Sequence, residues 1–145
     1  MMKNTYHLPC SIAQTLNLIG DKWTLLILRQ LKLGHDTYKE IQERLEGIPS
    51  NLLSERLKTL EADGLVTSRL YQTHPPRYQY ILTQSGDDLD DIFHSLMLWG
   101  ERHLKDCPGN LVHSQCGRPV EQQYYCRHCG RTILREEISV EERET

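Results

Sequence analysis

The sequence predicts a mainly α-helical domain with one small β-hairpin, followed by a small Cys/His-rich extension. Three observations support this. Apolar residues recur at three- and four-residue spacing from about residue 10 to 64 and from 84 to 104, as in helices with one buried face. Between residues 65 and 82 the pattern changes to the alternation typical of strands, with two prolines in its middle. Cysteine and histidine then recur in short pairs between residues 113 and 129.

Composition and charge limit the classes of function. The 145 residues suit one domain, expected at 8–104, with an extension at 105–138 and a charged tail at 139–145. The formal net charge is −3, so nucleic-acid binding must rest on a local patch. No apolar run approaches the roughly 20 residues that span a bilayer, and the N-terminus lacks a signal-peptide core. We therefore expect a cytoplasmic protein, in which five cysteines favour metal binding or free thiols over disulfides.

The first two predicted helices are divided by a break at Gly20-Asp21. The first begins near Ser11, and its apolar stripe consists of Ile12, Leu16 and Ile19. Asp21 is placed to cap the second, which we expect to run from residue 22 to 33 and to end at Gly34. The residues expected to face inward from this second helix are Trp23, Leu26, Ile27 and Leu31.

Two further helices are joined by a short turn at residues 46–49. Thr37 and Glu40 fit a capping box at the start of the third helix. The fourth helix is expected to begin at Ser50, whose hydroxyl can cap it, and to end at Gly64, which suits a left-handed conformation. The inner faces of the two helices are expected to carry Tyr38, Ile41 and Leu45, and Leu53, Leu57 and Leu60.

A hairpin and a last helix complete the domain. Strands are expected at residues 65–71 and 78–82. Residues 72–77 contain two prolines, which fix φ and remove donors, so we expect a stiff, irregular tip there. Thr83 or Ser85 then caps one long helix to Leu104, with four aspartates between residues 87 and 91 at the positive end of its dipole.

This order of elements is that of a winged helix-turn-helix. In such a domain the fourth helix fits the major groove of DNA, and the hairpin reaches the minor groove or the backbone. The candidate DNA-contacting residues are Lys39, Ser50, Asn51, Ser54, Arg56, Lys58, His74 and Arg77. Because residues 37–82 carry equal numbers of basic and acidic side chains, we expect a dimer that presents this patch twice.

The domain resembles the HxlR-type winged-helix transcription regulators of bacteria and archaea. The resemblance covers about two thirds of the chain and is carried by Cys10, Trp99-Gly100 and three longer segments. These segments are residues 16–28 (LNLIGDKWTLLIL), 48–66 (IPSNLLSERLKTLEADGLV) and 76–83 (PRYQYILT). The resemblance implies a homodimer, built from the first and last helices, that binds a palindromic operator and represses or activates nearby genes.

The resemblance also draws attention to Cys10, because some family members sense oxidants, electrophiles or aldehydes through a cysteine near this place. Cys10 lies beside a predicted helix N-terminus, which can lower a thiol pKa and make the thiol reactive. The alternative is a small, inert packing residue.

Two segments of the extension, residues 113–117 and 126–130, repeat the pattern ligand-x-x-Cys-Gly. Each can supply two ligands to a tetrahedral zinc ion, and the glycine lets backbone N–H groups approach the thiolates. We predict a structural zinc in a small ribbon, with short strands at residues 124–125 and 132–134. The predicted ligands are His113, Cys116, Cys126 and Cys129, with Cys107 or His128 as alternatives to His113. The competing interpretation is an unmetallated tail with free thiols.

Two classes of function remain open. The first is a sequence-specific, DNA-binding transcription regulator. The second is a zinc-containing protein-interaction module of a larger complex, without DNA specificity of its own. An enzyme is not expected, because the sequence shows neither a His-Glu-x-x-His zinc motif nor a paired acid and base.

Overall fold

The computed structural model describes residues 5–141 and 143, and it confirms a mainly α fold with a hairpin wing. The elements are α1 (Ser11–Ile19), α2 (Thr24–Lys32), α3 (Tyr38–Arg44), α4 (Ser50–Ala62), β1 (Val66–Thr73), β2 (Pro76–Leu82), α5 (Gln84–Asp87), α6 (Asp90–His103), β3 (Tyr124–Cys126), β4 (Arg131–Ile133) and a 3-10 turn (Arg135–Glu137). The chain divides into two compact units, one ending at Phe93 and the other beginning at His94. Among the described residues, no helix is long and apolar enough to cross a membrane.

The core of the first unit is formed mainly by α2, α3, α4 and β1. Its almost fully buried apolar residues are Ile27, Leu28, Ile41, Leu53, Leu57, Leu60 and Val66. The inner leucines of α4 were predicted from their spacing, and this is confirmed. The prediction for Leu26 was wrong, since this side chain is 42% exposed. The buried stripe of α2 instead follows the helical spacing through residues 24, 27, 28 and 31.

Side-chain caps fix the starts of α2 and α3. Asp21 Oδ1 accepts hydrogen bonds from the backbone N–H groups of Trp23 (2.9 Å) and Thr24 (3.0 Å), so it caps α2 as predicted. The predicted capping box between Thr37 and Glu40 is also present. Ser50 does not cap α4, contrary to the prediction. It is the first helical residue and Pro49 holds the cap position, where the fixed φ of −62° suits the entry to a helix.

The hairpin is longer and its tip tighter than predicted. β1 and β2 pair antiparallel from Val66↔Leu82 to Thr73↔Pro76, which leaves only His74 and Pro75 outside the strands. The register shifts between Leu70 and Gln72. Pro76 is tolerated in a strand because both strands of a two-stranded sheet are edges, where a missing donor breaks no central ladder.

The single long helix predicted after residue 83 is divided into α5 and α6. Thr83 caps α5 by accepting a hydrogen bond from the N–H of Gly86 (3.3 Å). Lys32 Nζ lies 2.5 Å from Asp87 Oδ1 and 3.5 Å from Asp90 Oδ2, on either side of the break. These aspartates lie in the first turns of α5 and α6, and they also form ion pairs with a lysine of α2. The sequence alone did not predict these ion pairs.

In the second unit, β3 and β4 pair antiparallel from Tyr124↔Ile133 to Cys126↔Arg131, close to the predicted short strands. An isolated bridge joins Val112 and Pro119. Within residues 105–141 and 143 no side chain is buried. The predicted charged tail falls partly on residues 142, 144 and 145, which lie outside the described residues.

Candidate nucleic-acid interface

The polar face of α4 is free of the core. Ser50, Asn51, Ser54 and Lys58 are all exposed, while the leucines of the same helix are buried on the other side. Ser50, Asn51 and Ser54 occupy the first turns of the helix. The structure thus places four of the predicted contact residues on one accessible surface, with the small polar ones at the N-terminal end.

The start of α4 is attached to the start of α3. The Tyr38 hydroxyl donates a hydrogen bond to the backbone oxygen of Ser50, at 2.8 Å. Lys39, the next residue on α3, is exposed and has Glu43 as a distant ion-pair partner at 3.9 Å. Sequence reasoning assigned Tyr38 to the inner face of α3 and missed this bond, because only the folded turn brings the hydroxyl to Ser50.

The wing is attached to the segment just before α3. Gln79 Nε2 donates to Asp36 Oδ2 at 2.7 Å, and the Tyr80 N–H donates to the Asp36 backbone oxygen at 2.8 Å. Arg69 donates to Gln79 Oε1 at 2.6 Å. The hairpin and the helix-turn-helix are therefore held in a fixed relation by residues that precede α3.

A groove of about 480 Å³ lies between the start of α3 and the wing. Its lining residues are Thr37, Tyr38, Lys39, Tyr71, Pro76, Arg77, Tyr78 and Tyr80. It brings together the predicted contacts Lys39 and Arg77. Burial, followed by the charge of Glu61, raises the pKa of Tyr80, so its phenol stays protonated and can donate. The alternation along β2 is sufficient to predict that Tyr78 and Tyr80 share one face of the strand. It is not sufficient to predict that this face meets α3.

Arg56 is the one predicted contact residue that is not exposed. Its side chain is only 17% exposed, and its Nε lies 3.3 Å from Asp21 Oδ1. Burial raises the pKa of Asp21, but hydrogen bonds from Thr24 and Trp23 and the charge of Arg56 outweigh this, so the pKa is lowered overall. Arg56 thus joins α4 to the start of α2. The DNA contact of Arg56 stays a prediction, and its pairing with Asp21 was not foreseen from the sequence.

The hairpin tip and the N-terminus carry the remaining candidates of the first unit. His74 and Arg77 are exposed at the end of the hairpin. Cys10 is exposed at the cap position of α1, as predicted, and its side chain makes no capping hydrogen bond. The reactivity of Cys10 stays a prediction.

The metal candidates occur as two pairs in the second unit. His113 Nδ1 lies 3.3 Å from Cys116 Sγ, and the Cys129 N–H donates to Cys126 Sγ at 3.5 Å. That backbone bond lowers the pKa of the Cys126 thiol, and the contact with Cys126 raises the pKa of Cys129. In the part of the chain that the structure describes, no three His, Cys, Asp or Glu side chains form a group that could hold a metal. The zinc site stays a prediction.

Known proteins with similar sequences are transcription regulators. The family model described as HxlR-like helix-turn-helix matches residues 18–107. The HTH-type transcriptional regulator Rv3095 of Mycobacterium tuberculosis is 36% identical over 134 residues, which cover 90% of this chain and 84% of that protein. This similarity extends well beyond the winged helix.

Solved structures give the same result. PA1607 is named as a transcription factor. Its crystal structure superposes on this chain with a TM-score of 0.79 at 26% identity, over 94% of this chain and 97% of PA1607. The reduced form of the regulator YodB from Bacillus subtilis has a TM-score of 0.57 at 30% identity, over 71% of this chain and 100% of its own. The redox regulator HypR in its reduced form has a TM-score of 0.57 at 32% identity, over 64% of this chain and 92% of its own.

The comparisons decide between the two classes of function that the sequence left open, in favour of a regulator over a docking module. In helix-turn-helix regulators as a class, the second helix of the motif lies in the major groove of DNA. The chain belongs to the HxlR-like helix-turn-helix family and is a DNA-binding transcriptional regulator.

Proposed function

We propose that the chain acts as a homodimer on a palindromic operator, with the N-terminal end of α4 in the major groove and the wing beside it. The observation that carries this proposal is the shared anchoring of α4 and the wing around Asp36 and Tyr38. It supports a docking surface that is preorganised before DNA binds, with Asn51 and Ser54 on α4 and Arg77 on the wing, and this lowers the ordering cost of docking. A regulator of this kind works on the chromosome, in keeping with the expected cytoplasmic location.

Exposed apolar side chains support the dimer. On α1, Ile12 is 70% exposed and Leu16 is also exposed. On α6, Leu96 is 52% and Trp99 is 55% exposed. Helices that leave large apolar residues in contact with water are typical of surfaces that a partner covers. A second copy of the chain is the partner that a palindromic operator requires, because the symmetry of the DNA matches that of the protein.

The contact residues divide by chemistry. Asn51 and Ser54 carry short polar groups that suit hydrogen bonding to base edges, and an asparagine can bond an adenine through two atoms. Lys39 and Arg77 line the same groove and present two positive charges, which suits a phosphate. Lys58 and His74 are assigned to the DNA backbone, Lys58 farther along α4 and His74 at the wing tip.

A footprint of the purified protein on the DNA upstream of its own gene tests the proposal. We expect protection of two half-sites about 10–10.5 base pairs apart, or a multiple of this, and affinity that falls steeply with salt. Light scattering of the same sample should give the mass of a dimer. A monomer that protects one half-site, or binding without sequence preference, contradicts the proposal.

Two substitutions separate the assigned roles. Asn51→Ala should weaken operator binding by about 1–3 kcal/mol and leave binding to random DNA nearly unchanged. Arg77→Ala should weaken binding to both and reduce the salt slope by about two units, because the dimer then leaves two phosphates without a neutralising charge. Arg29→Ala removes an exposed charge from α2 and serves as the control. Equal affinities for all three variants and the natural chain would show that the assigned surface is wrong.

We further propose that Cys10 couples operator binding to oxidants or electrophiles. The similarity to HypR and YodB, both solved in a reduced form, supports this, as does the exposed position of Cys10 at a helix start. Mild diamide or quinone treatment should modify Cys10 in mass spectra and change operator affinity. Cys10→Ser should abolish the response, whereas Cys107→Ser should retain it. An unmodified Cys10 with unchanged affinity contradicts this part of the proposal.

A further inference from the structure

We propose that the extension is a structural zinc site in which His113, Cys116, Cys126 and Cys129 bind one Zn²⁺. This inference does not depend on the DNA-binding surface, since all four residues lie in the second unit. It is carried by the repeated geometry of two turns, by the spacing of donor atoms within them, and by the lack of apolar burial among the described residues of this segment.

The two turns have the same backbone. In the first, the Gly117 N–H donates to the His113 oxygen at 2.8 Å, and in the second the Gly130 N–H donates to the Cys126 oxygen at 2.9 Å. Gly117 has φ +68° and Gly130 has φ +67°, a region that favours glycine. Two turns of matching sequence pattern and matching conformation, each carrying two soft donors, are what a zinc ribbon requires.

The two donors of the first turn are spaced for a shared ion. Zinc bonds of about 2.0 Å to nitrogen and 2.3 Å to sulfur at tetrahedral angles place the two atoms about 3.5 Å apart. The observed distance from His113 Nδ1 to Cys116 Sγ is 3.3 Å. In the second turn the Cys129 N–H donates to Cys126 Sγ at 3.5 Å, a bond that also stabilises a thiolate ligand.

Apolar burial does not hold the extension together. Of residues 105–141 and 143, only Leu111, Cys126 and Ile133 are even partly buried. A segment of this size without a core needs a covalent or metal staple to keep one conformation. Soft thiolate and imidazole donors select zinc over calcium or magnesium, which bind oxygen.

The donors form two pairs rather than one group, so the pairs must close on the ion. Nine residues separate Cys116 from Cys126, and each turn lies at the end of an antiparallel pairing. Closing so short a connection costs little entropy. His113 is favoured over Cys107 as fourth ligand, because its ring already contacts Cys116, whereas Cys107 lies near Gly100 of α6.

Metal analysis of the full-length chain tests the site. Protein prepared without chelator should contain about one zinc ion per chain, and Cys116→Ser and Cys129→Ser should each lower this content at least about tenfold. Cys107→Ser and Cys10→Ser are the matched controls and should keep the full content. His113→Ala should lose zinc, and His128→Ala should keep it. Loss in His128→Ala with retention in His113→Ala would overturn the ligand assignment.

A second measurement covers the case in which a variant folds poorly. Chelation of the natural chain should expose residues 105–141 to protease at least about tenfold faster, and added Zn²⁺ should restore protection, while the fragment up to residue 93 stays protected. Zinc content that is unaffected by both serine substitutions, or protease sensitivity that is unaffected by chelation, would overturn the proposal.

Discussion

The winged helix buries seven large apolar side chains almost completely in α2, α3, α4 and β1, whereas no side chain of residues 105–141 and 143 is buried. Both regions nevertheless contain a two-stranded antiparallel hairpin. Each fully buried Leu, Ile or Val contributes about 1.5–3 kcal/mol to the free energy of unfolding, a contribution that the described residues of the extension lack.

The difference teaches where each region is sensitive to change. In the winged helix, a lost methyl group matters because the interior is close-packed. In the extension, stability depends on the backbone conformation of two turns and on the proposed zinc ligands that these turns carry. It does not depend on the apolar side chains. A type of substitution that destabilises one region strongly should therefore destabilise the other region only weakly.

The largest expected effect is the loss of a core leucine. Leu57→Ala removes a side chain that is 1% exposed, and it should lower the free energy of unfolding by about 2–5 kcal/mol because a cavity remains. Leu134→Ala removes the same atoms from a side chain that is 68% exposed and should change it by less than about 0.5 kcal/mol. Urea titrations monitored by circular dichroism measure both values. Equal losses would mean that the extension has a core of its own.

Glycines give a smaller effect, for a different reason in each region. A Cβ on Gly86 would lie 2.2 Å from the backbone oxygen of Leu65, so Gly86→Ala should cost about 1–3 kcal/mol through overpacking. A Cβ on Gly130 would meet nothing within 4 Å, but its φ of +67° costs about 1–2 kcal/mol for alanine.

Substitution by asparagine distinguishes overpacking at Gly86 from backbone strain at Gly130. Asparagine adopts the left-handed region more readily than alanine, so Gly130→Asn should recover part of the stability that Gly130→Ala loses. Gly86→Asn should be worse than Gly86→Ala, because the larger side chain meets the same oxygen. Thermal melts for the first unit and protease protection for the extension distinguish the two outcomes, and the same ranking at both positions would contradict this account.

Sequence patterns were sufficient for elements whose signals are local. The capping box at Thr37, the cap at Asp21 and the end of α4 at Gly64 depend on neighbours within four residues, and all three were predicted correctly. The break after Asp87 and the exposure of Leu26 were missed. Lys32, which pairs with Asp87 and Asp90 on either side of the break, is distant in the sequence, so a local pattern does not contain this pairing.

For the candidate interface as well, local patterns predicted part of the arrangement, and contacts between distant residues were missed. Asn51 and Ser54 could be placed on the exposed face because helical spacing alone decides it. The pairing of Arg56 with Asp21 was missed because the two residues are 35 positions apart in the sequence. The tyrosine-lined groove was missed for the same reason: its walls come from α3 and the wing, and the bonds of Gln79 and Tyr80 to Asp36 connect these elements across more than 40 residues.

The smallest expected effect compares one carboxylate in each region. Asp21 and Glu137 both have lowered pKa values, so each stabilises the fold above its unfolded pKa and ceases to do so as the pH falls through its lower, folded value. Asp21→Asn keeps an acceptor for the cap but removes the charge beside Arg56, and it should cost about 1 kcal/mol at pH 7. The difference from the natural chain should shrink as the pH is lowered below the ordinary Asp value of 3.8.

Glu137→Gln is the matched change in the extension. Glu137 lies 2.5 Å from Arg131 Nη2 and accepts the Leu134 N–H at 2.7 Å, but the pair is open to solvent, which screens it. Its effect on the melting midpoint should be smaller than that of Asp21→Asn and should disappear in high salt. A cycle that combines Asp21→Asn with Arg56→Met isolates this half-buried pair. If the two changes prove additive, Arg56 is not coupled to Asp21, and its side chain is free to contact DNA as predicted.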